Sequence, residues 1–238
     1  MSVIVVTGTG SGVGKTVVTA ALTALALRRG SAAAVIKLAQ TGLTPDRPGD
    51  VDEVIRLSGL TTTFELGRFP GRLPPAAAAR AAGTPPVSLA RAANLARELA
   101  ESNRLVVVEG NGGLLDRYDE DGATAADLAR TLRAQVLVVV RPGGDTVNHT
   151  ALTLESLAHR GLDLAGIVIG RWPATPDIGD LSSVADLEML GARPLAGALP
   201  EGAGRLDRRA FTETARESLG TTLGGVFDPA AFRQRHSA

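Results

Sequence analysis

The sequence predicts a doubly wound α/β fold, with a mostly parallel sheet and helices on both faces. Short apolar runs rich in β-branched residues alternate with longer helical stretches along the 238 residues. Most of these runs are continuously apolar, as expected for strands buried on both faces of a parallel sheet. A glycine-rich turn joins the first predicted strand to the first predicted helix, where ligands bind in such folds. The length and the absence of a linker or repeat predict one domain, residues 1–238.

Six strands and six helices account for most of this pattern. We predict strands at residues 3–7, 33–37, 105–109, 136–141, 164–170 and 194–199. We predict helices at residues 15–29, 51–58, 89–102, 124–132, 146–160 and 181–190, the fourth opening with a capping box at Thr124 and Asp127. Residues 42–50 and 67–75 are rich in proline and glycine and are predicted loops. The tail from about residue 201 is expected to be less regular.

The composition excludes several classes of function. Lys plus Arg equals Asp plus Glu at 25 each, so no overall field favours nucleic acid or an anionic membrane. The chain has no cysteine, which excludes disulfides and thiolate metal sites, and its 3% aromatic content argues against base-stacking surfaces. No apolar run approaches the length of a membrane span, and the N-terminus leads directly into a predicted strand without a signal peptide. We therefore expect a cytoplasmic protein with neither a nucleic-acid nor a membrane partner.

Residues 6–16, VTGTGSGVGKT, are typical of a phosphate-binding loop of the P-loop NTPase kind. Five residues, instead of the usual four, separate Gly8 from Gly14, which is the lengthened loop of one branch of these proteins. Backbone N–H groups and the helix N-terminus would hold the phosphates, Lys15 would reach the β- and γ-phosphates, and Thr16 would bind Mg²⁺. The loop residues expected to bind nucleotide are Gly8, Gly10, Ser11, Gly12, Val13 and Gly14.

Three further segments contain polar residues at the ends of predicted strands. In VIKLAQTG (35–42), Lys37 ends the second strand, where it is either a ligand-binding residue or a surface lysine. In VVVEGNGG (106–113), Glu109 is the expected second Mg²⁺ ligand, unless this segment is only a tight turn. In TVNHT (146–150), Asn148 is either a functional residue or a helix cap, and His149 is expected to be structural.

These segments, in this order, resemble the dethiobiotin synthetase family over residues 3 to about 200. The matching motifs are VTGTGSGVGKT, KLAQTG, VEGNGGLL and TVNHTALT. The resemblance implies ATP-dependent carboxylation and cyclisation of 7,8-diaminononanoate in biotin biosynthesis. One amine takes up CO2 as a carbamate, ATP phosphorylates the carbamate, and the second amine closes the ring with release of phosphate. The co-substrates implied are ATP and CO2 or bicarbonate, with Mg²⁺ as cofactor.

The resemblance also assigns roles to residues. Lys15, Lys37 and Thr41 would be catalytic, with Lys37 reaching both the carbamate and the γ-phosphate. Mg²⁺ would be held by Thr16, Glu109 and Asp50, with Asp52 as a poorer fit to the third position. The carbamate end of the substrate would contact Lys37 and Thr41. Its far carboxylate would lie near a helix N-terminus at a homodimer interface, where the matching residues are Gly112, Gly113, Leu114 and Leu115, with Asn148 supplied by the partner subunit.

The chain departs from the family pattern at several positions. Leu38 stands where proline is usual after the lysine, Asn111 interrupts the glycine run, and Asp145 replaces a glycine before TVNHT. At the predicted nucleotide base site, Gly170 replaces a common asparagine. Trp172 follows nearby and is a further candidate for nucleotide binding, with packing near the sheet edge as its alternative role. Because no amide is available there, we expect relaxed nucleotide choice, with CTP and other triphosphates used beside ATP.

Three alternatives remain open at this point. A partition-type switch ATPase would carry an additional lysine where this chain has Gly10. An amidoligase of the cobyrinate type would need a cysteine nucleophile in a glutaminase domain, and the chain has no cysteine. A catalytically impaired nucleotide-binding homologue would keep the fold without turnover.

Overall fold

The computed structural model describes residues 2–236, so Met1, Ser237 and Ala238 of the predicted domain lie outside the described residues. The strands are β1 (Ser2–Gly8), β2 (Ala33–Lys37), β3 (Gln40–Thr41), β4 (Thr63–Glu65), β5 (Arg68–Phe69), β6 (Leu105–Gly113), β7 (Gln135–Val140), β8 (Leu164–Trp172) and β9 (Gly197–Pro200). The helices are α1 (Lys15–Arg28), α2 (Asp50–Ser58), α3 (Pro75–Ala82), α4 (Leu89–Ser102), α5 (Ala125–Leu132), α6 (Gly144–His159), α7 (Ile178–Gly191), α8 (Arg208–Ser218) and α9 (Pro229–Arg235).

A seven-stranded sheet in the order β4-β2-β6-β1-β7-β8-β9 forms the centre of the molecule. Its neighbouring strands pair in parallel, as predicted. After β1 the chain first adds strands toward the β4 edge of the sheet. After β6 it adds strands on the other side of β1, toward the β9 edge. β1 is therefore the switch point, and its carboxyl end is where such folds bind ligands.

Two hydrophobic cores, one on each face of the sheet, bury the helices. Successive strand residues alternate between them, so Val5 packs in one core and Val6 in the other. The first core includes residues of α4, α5 and α7, and the second includes residues of α1, α2 and α8. This arrangement explains why the strands are continuously apolar, because both side-chain directions are buried.

Helix starts follow local rules of capping. At the start of α5, Thr124 Oγ1 accepts from Asp127 N–H, and Asp127 Oδ2 accepts from Thr124 N–H at 3.0 Å. The predicted capping box is therefore confirmed, with Asp in the place of the usual Glu. α2 starts similarly, because Asp52 Oδ2 accepts from Gly49 N–H at 2.7 Å.

All six predicted strands and all six predicted helices are present, with shifts of a few residues at their ends. The predicted loop 67–75 contains β5, which pairs with β3 in a separate two-stranded sheet, and α3 begins at its last residue. The prediction of a less regular tail from about residue 201 was wrong. This segment contains α8 and α9, and Phe211 of α8 is fully buried in the second core.

Candidate active site

The predicted phosphate-binding loop connects β1 to α1 and packs directly against the end of β8. A Cβ atom on Gly14 would come within 2.6 Å of Gly170 O, and a Cβ on Gly170 would overlap Val13 O. Gly14 also has a φ of +102°, a conformation that favours glycine. The two glycines thus let the loop and the strand touch backbone to backbone, which fixes the direction of the N–H groups at the start of α1.

Lys15, at the first position of α1, folds back over this loop. Its Nζ donates to Gly10 O at 2.8 Å, and the side chain is buried. Burial, together with the positive charge of Lys37, lowers the pKa of Lys15 from 10.5 to about 8. The ammonium is therefore held in a poorly solvated position where an added anion would bind strongly.

A cluster of buried charges lies at the carboxyl ends of β2 and β6. Lys37 Nζ is 2.7 Å from Glu109 Oε1 and 2.5 Å from Asp50 Oδ2, and Thr16 Oγ1 donates to Glu109 Oε1 at 2.9 Å. Lys37 and Glu109 are only 2% and 1% exposed. Burial alone would lower the pKa of Lys37, but the two carboxylates outweigh it and raise the pKa above its usual value. The Lys37 ammonium is therefore held by two carboxylates.

Asp50 reaches this cluster because Gln40 fixes the start of α2. Gln40 Oε1 accepts from Asp50 N–H at 2.9 Å and is itself buried. Asp52, the alternative ligand considered from the sequence, instead caps α2 and has a side chain that is 56% exposed. The geometry therefore favours Asp50 over Asp52 at the centre of the site.

The donor set of this cluster fits a divalent cation such as Mg²⁺. It offers the Thr16 hydroxyl and the carboxylates of Asp50 and Glu109, all hard oxygen donors. Glu109 Oε2 is buried and has no hydrogen-bond partner, so one oxygen atom is free to coordinate. Within residues 2–236 no group of three or more His, Cys, Asp or Glu side chains is placed to hold a metal. Phosphate and water oxygens would therefore complete the coordination, as is usual for Mg²⁺.

The glycine-rich end of β6 is held by Tyr118. Asn111 N–H donates to Tyr118 Oη at 2.8 Å, and the tyrosine is fully buried. Burial raises the pKa of Tyr118 to about 12, so the hydroxyl stays neutral. The Asn111 side-chain amide in turn contacts Thr41 Oγ1 at 3.3 and 3.4 Å. Asn111, an apparent departure from the family pattern, thus positions the predicted catalytic hydroxyl.

Two of the cavities that border the phosphate-binding loop are also lined by Lys37 or Thr41, and these two are similar in size. We name the first, about 610 Å³, the phosphate-loop cavity. It is lined by Gly12, Gly14, Lys15, Thr16, Val17, Lys37, Asp50, Asn111, Gly170, Arg171, Pro200, Glu201, Gly202, Ala203, Gly204 and Arg205. We name the second, about 580 Å³, the Thr41 cavity. It is lined by Thr9, Gly10, Ser11, Thr41, Gly42, Leu43, Arg72, Leu73, Pro74, Asn111, Gly113 and Asp116.

The structure brings most predicted site residues together, but not all of them. Trp172 does not line either cavity, because its ring is buried against Phe232 and His236 of the C-terminal segment, with centroids 5.0 and 4.9 Å apart. Its predicted role in nucleotide binding is therefore corrected to a packing role. Leu114 is buried and Leu115 is exposed, and neither lines either cavity.

Other predicted residues lie on α6. Asn148 is exposed and lines neither of these two cavities. Asp145 is also exposed, in the first turn of the helix. With His149 it borders a third cavity of about 630 Å³ on the other side of the phosphate-binding loop.

Sequence reasoning missed the segment 200–205, which forms one wall of the phosphate-loop cavity. It follows β9 and turns through a short 3-10 helix, Ala203–Arg205. The signal available was positional, because the segment follows a predicted parallel strand and therefore emerges at the ligand-binding edge. Arg72 was missed for a different reason, since the short β3–β5 pairing that brings it near Thr41 has no clear sequence pattern.

Comparisons with known proteins agree with this geometry. The AAA domain family matches residues 2–204. The ATP-dependent dethiobiotin synthetase BioD of Parafrankia sp. (strain EAN1pec) is 57% identical over 237 residues, covering 100% of both chains. The proteins of the same name from Frankia casuarinae and Streptomyces coelicolor are 58% and 50% identical, each covering 99% of both chains.

Solved structures show the same fold at low identity. The MinC:MinD cell division protein complex of Aquifex aeolicus matches with a TM-score of 0.57 and 16% identity, covering 91% of this chain and 95% of that one. The septum site-determining protein MinD of Pyrococcus horikoshii, complexed with Mg-ADP, gives 0.55 and 15%, covering 90% and 86%. These likenesses confirm the P-loop NTPase-like fold alone. The full-length relatives are decisive for the family: the chain belongs to the ATP-dependent dethiobiotin synthetases.

Proposed function

We propose that this chain carboxylates and cyclises 7,8-diaminononanoate with CO2 and ATP, giving dethiobiotin, ADP and phosphate. The observation that carries the proposal is the position of Lys37, whose ammonium lines the phosphate-loop cavity while the adjacent segment leads to Thr41 in the second cavity. Asn111 lines both cavities, so the two ligand spaces adjoin. ATP in one and the diamine in the other would bring the γ-phosphate and the carbamate together.

Joining these two anions is the electrostatic problem of the reaction, because both the carbamate and the γ-phosphate are negatively charged. Lys15 and Lys37 supply two buried positive charges at this point. Lys37 would neutralise charge on both reactants while the carbamate oxygen attacks phosphorus and ADP leaves. Thr41 would donate a hydrogen bond to the carbamate, held in place by Asn111.

Mg²⁺ would be held by Thr16, Asp50 and Glu109 and would supply charge neutralisation at the phosphate oxygens. In the structure Lys37 is bound to both of these carboxylates. Lys37, held between these two carboxylates, would keep its ammonium where the carbamate and the γ-phosphate meet. The last step needs no further catalytic group, since ring closure is intramolecular and the two nitrogens are already adjacent.

The substrate's hydrocarbon chain would lie along the Thr41 cavity, next to Gly112 and Gly113. We propose a homodimer in which Leu114 and Leu115 of one subunit and Asn148 of the partner subunit complete this space. The exposure of Leu115 and Asn148 supports the proposal, because both side chains are accessible to a second subunit.

Nucleotide choice is expected to be relaxed. Gly170, Arg171 and the 200–205 segment line the phosphate-loop cavity together with the loop. Gly170 offers no side-chain amide to a base, and Trp172 is turned away. CTP should therefore support turnover beside ATP, whereas good ATP turnover with equal failure of CTP, GTP and UTP would contradict this.

The proposed reaction uses small soluble substrates, and we place it in the cytoplasm. Within residues 2–236, no helix combines the length and the apolar character that a membrane crossing requires.

Phosphate release from MgATP and bicarbonate, with and without 7,8-diaminononanoate, tests the reaction class. We expect release that depends on the diamine and is accompanied by dethiobiotin. In Lys37→Ala it should fall by about 10²–10³, the usual cost of removing one preorganised group at a developing charge. Arg91→Ala, an exposed change on α4 far from the cavities, is the matched control and should keep full activity.

Two other outcomes would count against the proposal. Release that is indifferent to the diamine would indicate a switch ATPase. Absence of release with every triphosphate, despite nucleotide binding, would indicate a catalytically impaired homologue.

A further inference from the structure

Arg56, in the last turn of α2, is hydrogen-bonded to the segment that forms one wall of the phosphate-loop cavity. Its Nη1 donates to Leu206 O at 3.0 Å, and its Nη2 donates to Gly204 O. Gly204 belongs to the 200–205 segment, and Leu206 directly follows it. Because the donors of a guanidinium form a rigid planar fork, two such bonds fix both the distance and the direction of the segment. Arg56 therefore holds this wall against α2.

Glu53 keeps Arg56 in the orientation that these bonds require. Its Oε2 accepts from Arg56 Nε at 2.9 Å, and its Oε1 accepts from Nη2 at 2.7 Å. The two side chains are 34% and 46% exposed, so the pair itself adds little to the stability of the fold. Its effect is geometric, because the carboxylate occupies one edge of the guanidinium and directs the remaining N–H groups at the carbonyls of Gly204 and Leu206.

The helix that carries Arg56 is itself fixed relative to the phosphate-binding loop. Asp50, the first residue of α2, has its Oδ2 atom 2.5 Å from Lys37 Nζ, and its N–H donates to Gln40 Oε1. The start of α2 is thus held in the cluster of buried charges, and its last turn holds the 200–205 segment. Arg56 consequently sets how far this wall lies from the loop across the cavity.

The 200–205 segment has a second attachment at its other end. Glu201 N–H donates to Trp172 O at 2.7 Å, which ties the start of the segment to β8, and Ala203 is buried in the second core. Loss of the Arg56 side chain would leave these attachments in place and would release only the end of the segment that follows Ala203. Such a change should displace the cavity wall without unfolding it.

We propose that Arg56 is a positioning residue that holds the 200–205 segment against the nucleoside part of the bound triphosphate. The inference rests on the proposed function, because it assumes that the phosphates bind at the loop and Lys15 in the phosphate-loop cavity. The base and ribose then have to contact lining that the loop does not supply, and the 200–205 segment is the largest such part. Arg56 acts through this segment and does not line the cavity itself.

The experiment compares two ligands in four proteins by isothermal titration calorimetry. The ligands are MgATP and the magnesium complex of inorganic triphosphate, which has the three phosphates but no nucleoside. The proteins are the native chain, Arg56→Ala, Arg56→Lys and the control Arg130→Ala. Arg130 forms the same kind of exposed pair, three residues from Asp127 on α5, so its removal reproduces the loss of charge without touching the cavity wall.

In Arg56→Ala the Kd for MgATP should rise about tenfold, the lower end of the effect of a hydrogen bond from a charged group. The Kd for inorganic triphosphate should stay unchanged, and so should both Kd values in Arg130→Ala. Arg56→Lys should be intermediate, because it keeps the charge and a donor but not the planar fork. In steady-state kinetics, KM for ATP should rise in Arg56→Ala while kcat and KM for the diamine stay at their native values.

A purely structural role of Arg56 would lower the fraction of active protein, and hence the apparent kcat, without this change in KM or Kd. That result would overturn the inference. An equal loss of affinity for MgATP and inorganic triphosphate would also overturn it, because Arg56 would then act through the phosphate-binding loop. Absence of diamine-dependent turnover in the native chain would contradict the proposed reaction, whereas the MgATP titrations would still decide the role of Arg56.

Discussion

The phosphate-loop cavity and the Thr41 cavity are adjacent but are constrained to very different degrees. In the first, functional groups are held by groups from other elements: Lys37 by Glu109 and Asp50, and Gly14 by contact with Gly170. In the second, Arg72 and Leu73 are exposed, and Arg72 has no partner within residues 2–236. The difference indicates that the proposed nucleotide side is organised before ligands bind, and we expect the proposed substrate side to be completed by the substrate.

Among the changes that test this contrast, removal of the buried Glu109 carboxylate is expected to have the largest effect. Glu109→Ala leaves the Lys37 ammonium buried with Asp50 alone, which is itself partly exposed. Breaking a buried pair on one side typically costs about 3–5 kcal/mol, and we expect the free energy of unfolding to fall by that amount. Urea unfolding without nucleotide or divalent cation measures it.

The matched control breaks an exposed pair. Glu120→Ala removes the partner of Arg80, where both side chains are about two-thirds exposed, and should change the stability by less than about 1 kcal/mol. The double variant Lys37→Met/Glu109→Gln should recover most of the loss, because the only carboxylate that loses its partner, Asp50, is 34% exposed. Equal losses of unfolding free energy in Glu109→Ala and Glu120→Ala would show that water reaches the Lys37 cluster. The phosphate-loop cavity would then be no more constrained than the Thr41 cavity.

The same difference explains what the sequence could and could not predict. The phosphate-binding loop, Lys37 and Glu109 follow predicted parallel strands, and their positions depend on strand order and on strong local motifs. Arg72 depends on a two-residue strand pairing within a predicted loop, which leaves no periodic pattern. The wall formed by residues 200–205 depends on β9 packing beside β8, a contact between distant parts of the chain. The sequence left Trp172 between nucleotide binding and packing because its partners, Phe232 and His236, come from a tail without predicted structure.

Two glycine substitutions sharpen the contrast between the cavities. A Cβ on Gly170 would overlap a backbone oxygen of the phosphate-binding loop, so Gly170→Ala should displace the loop. We expect MgATP affinity to fall about tenfold or more, since each charged hydrogen bond lost is worth roughly 1.5–3 kcal/mol. Gly42→Ala meets the flexible side chain of Arg72 instead, and it should raise KM for the diamine without changing MgATP affinity.

Isothermal titration calorimetry with MgATP and steady-state kinetics separate these two effects. Gly144→Ala, where an added Cβ meets no atom within 4 Å, is the control for both. Gly42 has a φ of +80°, so its substitution also strains the backbone, and unfolding measurements should accompany the kinetics. Equal losses of nucleotide affinity in Gly170→Ala and Gly42→Ala would contradict the separation of the two sides.

The smallest effect is expected at Tyr118, which supports the residue shared by both cavities. Tyr118→Phe keeps the buried ring but removes the oxygen that accepts from Asn111 N–H. An amide left without its partner costs about 1–3 kcal/mol when it is fully buried, and Asn111 is only half-buried, so about 1–2 kcal/mol of stability should be lost. Thr153→Val, which removes an exposed hydroxyl on α6, should change the stability by less than about 0.5 kcal/mol.

The kinetic consequence of Tyr118→Phe decides how the two sides are connected. Asn111 contacts Thr41 and lines both cavities, so a shift of its backbone should affect KM for ATP and for the diamine together. A rise in KM for the diamine alone would show that Asn111 acts only through Thr41. Loss of stability without any kinetic change would mean that both cavities keep their geometry without this hydrogen bond. Tyr118 would then serve the fold alone.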